Sequence, residues 1–152
     1  MDFLFEFDQP NNLVIFRPIS CIDFGAIVAA MSSLVADPRF RPQYCVLIDF
    51  RDVTSAPTVD LAIRLAEMLK SHRVAIVVST AQQAASAKSL EIVASALGGN
   101  VSGFISLTRA IKWVLPPSSR SRSRNDLPVS RAKDLGHWKY ASNKKRENAK
   151  RI

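Results

Sequence analysis

The chain has 152 residues, 47% of them hydrophobic and 22% charged, which is enough apolar material for one domain with a sizeable core and excludes a disordered chain. No apolar run approaches the roughly 18 residues of a membrane span, and Met1–Pro10 lacks the basic start and apolar stretch of a signal peptide, so the expected compartment is the cytoplasm. The formal charge of +8 belongs to one end: residues 1–117 carry ten basic and ten acidic side chains, residues 118–152 eleven basic and three acidic.

In chain order, Phe3-Leu4-Phe5-Glu6-Phe7 and Leu13-Val14-Ile15-Phe16, separated by the turn formers Asn11-Asn12, predict two strands in a hairpin. Ser20 with Asp23 three residues on has the form of a capping box. Ile22, Ala26, Ala29, Ala30, Ser33 and Leu34 then recur at helical spacing until Asp37-Pro38 stops the pattern. Cys45-Val46-Leu47-Ile48 is apolar on both faces, as a buried central strand must be, and ends in Asp49-Phe50-Arg51-Asp52. The loop Thr54-Ser55-Ala56-Pro57 leads through its proline into a second helix. That helix buries the stripe Leu61, Leu65, Met68 and Leu69 and offers Asp60 and Arg64 as an i,i+4 ion pair.

Val74-Ala75-Ile76-Val77-Val78 predicts another central strand. Thr80 and Gln83 form a capping box before a helix whose buried side is placed on Ala84, Leu90, Ile92, Val93 and Leu97, closed by Gly98-Gly99. Val101–Ile105 is the last strand, and Ser106 caps a terminal helix carrying Ala110, Ile111, Val114 and Leu115. The order ββαβαβαβα predicts an α/β fold: a single mixed five-stranded sheet with four helices, right-handed crossovers and an antiparallel opening hairpin. Pro116-Pro117 closes this domain, residues 1–117. Residues 118–152, with Ser/Arg alternation from Ser118 to Arg124 and the run Asn143-Lys144-Lys145-Arg146-Glu147, are expected to form a disordered basic tail.

Little in the pattern suits catalysis, and the chain is expected not to be an enzyme. Asp49 and Asp52 stand where open α/β sheets place ligands, but two carboxylates flanking Arg51 read more simply as turn formers and ion-pair partners. Cys21 and Cys45 are expected as small buried hydrophobes. His72, between a lysine two residues before it and Arg73, is expected to cap a helix C-terminus. Trp113 is assigned to the core or its rim. Gly98–Gly103 follows a helix and precedes a strand, the wrong order for a phosphate loop, and reads as a cap and turn. Two cysteines and two histidines offer no zinc spacing, so neither metal nor cofactor is expected. In the tail, Arg120, Arg122, Arg124, Lys144, Lys145 and Arg146, together with Trp138 and Tyr140, suit nucleic-acid phosphates and bases or an anionic lipid surface. A solvated extension without a partner is the alternative.

Three stretches carry a family resemblance: Ala36-Asp37-Pro38-Arg39-Phe40-Arg41-Pro42, Leu47-Ile48-Asp49-Phe50-Arg51-Asp52-Val53-Thr54, and Phe104 with Arg109-Ala110-Ile111-Lys112-Trp113. Over residues 12–115 the chain resembles the bacterial STAS-like, SpoIIAA-like domains. The resemblance implies a regulatory module that binds a protein partner, and a relation by shape to lipid-binding domains of the SEC14 type. Known members antagonise anti-sigma factors and are switched by phosphorylation of a serine at the start of the helix after the central strand. The family's Asp-Ser-Ser-Gly falls here on Pro57-Thr58-Val59-Asp60, which leaves Thr58 and, second, Ser55 as candidate phospho-acceptors. The plainer reading of both residues is that they cap a helix. The expected partner surface is the loop and helix bearing Asp49, Asp52, Asp60 and Arg64.

Overall fold

A computed structural model describes residues 2–19, 23–54 and 58–115, all within one unit, Met1–Leu115. Strand β1 (Asp2–Asp8) pairs antiparallel with β2 (Leu13–Ile19), and β3 (Cys45–Asp49), β4 (Arg73–Val77) and β5 (Asn100–Phe104) follow in parallel, in the sheet order β1-β2-β3-β4-β5. Helices α1 (Phe24–Ala36), α2 (Val59–Leu69) and α3 (Ala81–Ala96) make the crossovers, and α4 (Leu107–Val114) ends the domain. The hairpin turns through one 3₁₀ turn, Gln9–Asn11, and Asn12 takes the left-handed conformation at φ 49°, which asparagine tolerates better than most residues.

Each parallel strand lies on the same side of the one before it. Right-handed crossovers that always step the same way put every crossover helix on one face. Val14, Phe16, Val46, Ile48, Val74 and Ile76 therefore share one core with the buried sides of α1, α2 and α3. Phe3 and Phe5 extend that core over the hairpin, with Phe5 stacked on Phe16 at 4.8 Å between ring centres. The opposite face receives α4, which packs on β3, β4 and β5 through Ala110 and Val114.

Several expected faces are rotated. Asp23 itself caps α1, its carboxylate accepting from the Gly25 N–H at 2.9 Å, and the buried stripe is Ile27, Ala30, Met31 and Leu34, with Ala29 and Ser33 in solvent. Ser20, Cys21 and Ile22 lie outside the described residues. In α3 the buried side is Gln83, Ala87, Leu90 and Ala94, while Ile92 and Leu97 are exposed. Close approach explains this: a Cβ on Gly103 of β5 would lie 2.9 Å from the Ala87 Cβ, so the contact face must be built from alanine and glycine. The end of α3 follows the expectation. Gly98, at φ 80°, donates to the Ser95 carbonyl and Gly99 to that of Ala94, a Schellman closure.

His72 is a further correction. Its backbone N–H reaches the Leu69 carbonyl, but its ring turns away from the helix, donating through Nδ1 to the Tyr44 carbonyl at 2.8 Å and stacking on Phe40 at 4.3 Å. Cys45 is buried, as expected, and burial pushes its thiol above the ordinary range. Trp113 is half-buried, 5.6 Å from Phe104 and beneath the Arg73 guanidinium at 4.1 Å. No helix among the described residues is long and apolar enough to cross a membrane.

Candidate interaction site at the C-terminal edge of the sheet

Parallel strands deliver their C-terminal ends, and the starts of the helices that follow, to one edge. Three hydroxyl residues cap those starts: Thr58 accepts from the Leu61 N–H at 3.3 Å, Thr80 from Gln83 at 3.1 Å and Ser106 from Arg109 at 3.3 Å. Thr58 is thus both exposed and engaged as a cap, and Ser55 lies outside the described residues.

The described start of the β3–α2 loop, residues 50–54, is held by side chains at three places. Asp49 is fully buried at the end of β3 and accepts from Arg51 twice, Nε to Oδ1 at 2.9 Å and Nη2 to Oδ2 at 2.8 Å, with the Arg51 backbone N–H adding a third bond at 3.2 Å. Burial pushes the Asp49 carboxyl up, but the Arg51 hydrogen bonds and charge, helped by Arg17, outweigh it and hold the group below the usual carboxylate range. Arg17, at the neighbouring position of β2, stands 3.9 Å from Asp49 and donates through Nε to Asp52 at 2.8 Å and through Nη2 to the same oxygen. Two carboxylates and two guanidiniums thereby close one local network that ties the loop to the hairpin.

The third tie is Gln83 on α3, 2% exposed. Its amide donates to the Val53 carbonyl at 2.6 Å and the Phe50 carbonyl at 3.3 Å, and its oxygen accepts from the Ser79 N–H at 3.0 Å. The Ser79 hydroxyl also donates to the Arg51 carbonyl at 3.3 Å. The capping box expected at Thr80 and Gln83 is therefore half right: Thr80 caps, but the glutamine side chain reaches across to the β3–α2 loop. Sequence reasoning names Gln83 only as a capping-box partner of Thr80 and does not name Arg17. The one signal for Arg17 is a charge in an otherwise apolar strand.

Of the expected surface residues, Asp52 lies in the network, and Asp60 and Arg64 are exposed on α2 but do not form the ion pair their spacing suggests. Asp49 is corrected: fully buried, it cannot touch a partner, and it acts by fixing Arg51. Arg120, Arg122, Arg124, Lys144, Lys145 and Arg146 lie outside the described residues. Among the described residues, no group of three His, Cys, Asp or Glu side chains could hold a metal ion. Between sheet and helices, the gap lined by Ile48, Leu65, Ala66, Leu69, Leu90 and Val101 measures about 10 Å³, the room of one water and far too little for a lipid chain.

No protein-family model matches the chain, and no curated protein matches it in sequence. Solved structures do match. An uncharacterised protein of the DUF3478 family with a SpoIIAA-like fold, from Shewanella loihica PV-4, is similar at a TM-score of 0.51 with 17% identity, over 74% of this chain and 92% of that one. An anti-sigma factor antagonist from Mycobacterium paratuberculosis is similar at a TM-score of 0.50 with 18% identity, over 74% of this chain and 94% of that one. At these identities the likeness concerns architecture.

Proposed function

The chain folds as a SpoIIAA-like domain, the STAS-like architecture its sequence resembles, and from that premise we propose that it is a non-enzymatic regulatory module that docks a protein partner through the C-terminal edge of its sheet and the exposed side of α2. The observation that carries this reading is Val59. A large apolar side chain in the first turn of α2, 61% exposed, stands between the polar residues Thr58 and Asp60 on a helix start capped by Thr58. An apolar centre within a polar rim is the general make-up of a protein interface. Holding it on a capped helix turn reduces the entropy lost on association. The similarity to an anti-sigma factor antagonist, by its name a protein that acts through another protein, supports the same reading.

Asp52, Asp60 and Arg64 supply the surrounding charges, and Thr58 is the position where modification changes them. A phosphate there sits at the α2 N-terminus, where free N–H groups and the helix dipole favour an anion, and alters the charge any partner meets. The test is a pull-down from the source cells with wild type, Val59→Asp, Thr58→Glu and, as a control on the exposed side of α3, Ser89→Glu. A partner kept by Ser89→Glu and lost by Val59→Asp is the expected result. Identical partners for Val59→Asp and wild type remove the docking surface, and identical partners for Thr58→Glu and wild type remove the switch.

A further inference from the structure

Strand β5 is the outer strand of the sheet, so half of its backbone groups point away from β4. The Phe104 carbonyl accepts from Val78 on the β4 side, and by alternation Val101 and Gly103 turn their N–H and C=O groups outward. One of these outward donors is taken. Glu91, from α3, accepts the Gly103 N–H at 2.6 Å and the Ser102 hydroxyl at 3.3 Å through Oε1, while its Oε2 is held by Lys88 at 2.6 Å. Burial pushes the Glu91 carboxyl up, but the bonds from Lys88 and Gly103 outweigh it and keep it below the ordinary glutamate range.

A second observation concerns the same two elements. Among the described residues five large hydrophobic side chains are exposed, and three of them belong here: Ile92 at 64%, Leu97 at 42% and Ile105 at 75%, on α3, at its cap and just after β5. Open strand edges beside exposed apolar groups pair with other strands unless something blocks them.

We propose that the outer edge of β5 is a pairing surface for a second copy of this chain, held closed by Glu91. The geometry specifies the register. Two β5 strands running antiparallel about a two-fold axis at Ser102 would each donate from Val101 to the partner copy's Gly103 carbonyl and from Gly103 to the partner copy's Val101 carbonyl. Glu91 Oε1 stands where that Val101 oxygen would have to sit, so two of the four bonds cannot form and oxygen meets oxygen. Removing the carboxylate frees the Gly103 N–H of each copy to pair with the other.

The experiment uses the full chain, with mass measured by light scattering during size exclusion. Glu91→Ala and Glu91→Ser, which remove the oxygen, are expected to double the mass relative to wild type as concentration rises, whereas Glu91→Gln, which keeps an oxygen on Gly103, stays at the wild-type mass. In a Cys21→Ser background, Ser102→Cys tests the register: opposed non-hydrogen-bonded residues have Cα atoms about 4.5 Å apart, within disulfide reach. Oxidation should cross-link Ser102→Cys with Glu91→Ala and leave it uncross-linked with Glu91 present. Folded Glu91→Ala and Glu91→Ser proteins of wild-type mass that give no cross-link overturn the proposal. Equal cross-linking with and without Glu91 overturns the blocking role.

Discussion

Replacing Gln83 with alanine tests how firmly the candidate site is pre-ordered. The substitution removes the donor to Val53 and Phe50 and the acceptor for the Ser79 N–H. The Phe50 carbonyl keeps its bond from the Val53 N–H, and Ser79 is exposed enough for water to replace the lost oxygen. The uncompensated loss is therefore the Val53 carbonyl, at a residue 3% exposed, together with the space left by the side chain. A buried group left unsatisfied costs about 1–3 kcal/mol, and the cavity brings the total to roughly 3 kcal/mol. At about 4 °C per kcal/mol for a domain of this size, the melting temperature should fall by roughly 12 °C. Gln83→Met, which keeps the volume but not the amide, should lose about 2 kcal/mol. Thermal melts give the magnitude, and hydrogen exchange gives the location: amides of Arg51–Thr54 should exchange faster in both variants while those of β2 hardly change. A Gln83→Ala protein melting within about 2 °C of wild type would refute the reasoning, because a clasp worth less than about 0.5 kcal/mol cannot hold the loop.

Asp49→Asn should cost about 3 kcal/mol in chemical denaturation, near the low end for breaking a buried pair, because Arg51 and Arg17 can turn partly to water. Since the folded Asp49 carboxyl titrates below its unfolded value, its contribution is complete above the unfolded pKa of about 4 and is lost as pH falls through the folded pKa. The wild-type stability curve should therefore fall more steeply than that of Asp49→Asn in acid, and parallel curves would contradict the ion network. Gly103→Ala forces a Cβ to 2.9 Å from that of Ala87 and should lose about 1–3 kcal/mol, measured by urea unfolding. Thr58→Ala should lose about 1 kcal/mol by removing the α2 cap, while Thr58→Ser stays near wild type. Equal stability of the alanine and serine variants would mean the cap contributes nothing.

What is written in short stretches of sequence is legible from the sequence alone. The apolar runs from Cys45 and Val74 form the central strands, Thr58, Thr80 and Ser106 cap helices, and the Gly98-Gly99 closure of α3 appears in place. Each of these depends on residues within a few positions, where periodicity and hydrogen bonding are local. In sequence the candidate edge shows as Asp49, Asp52, Thr58, Ser55, Asp60 and Arg64, of which Asp49 proves buried. Its working parts, Arg17 and Gln83, lie 35 and 30 positions from their partners Asp52 and Val53.

Tertiary packing decided the rest. Periodicity states that a helix has a buried side, but the depth to which a neighbour can approach chooses which side. The Ala87–Gly103 contact thus turns Ile92 and Leu97 outward, although they are the larger apolar groups. The constant direction of strand addition put the crossover helices α1–α3 on one face, a choice no single segment encodes. Composition and local pattern determined which elements form. Steric fit and polar satisfaction between segments far apart in the chain determined which faces they bury and which side chains meet at the edge.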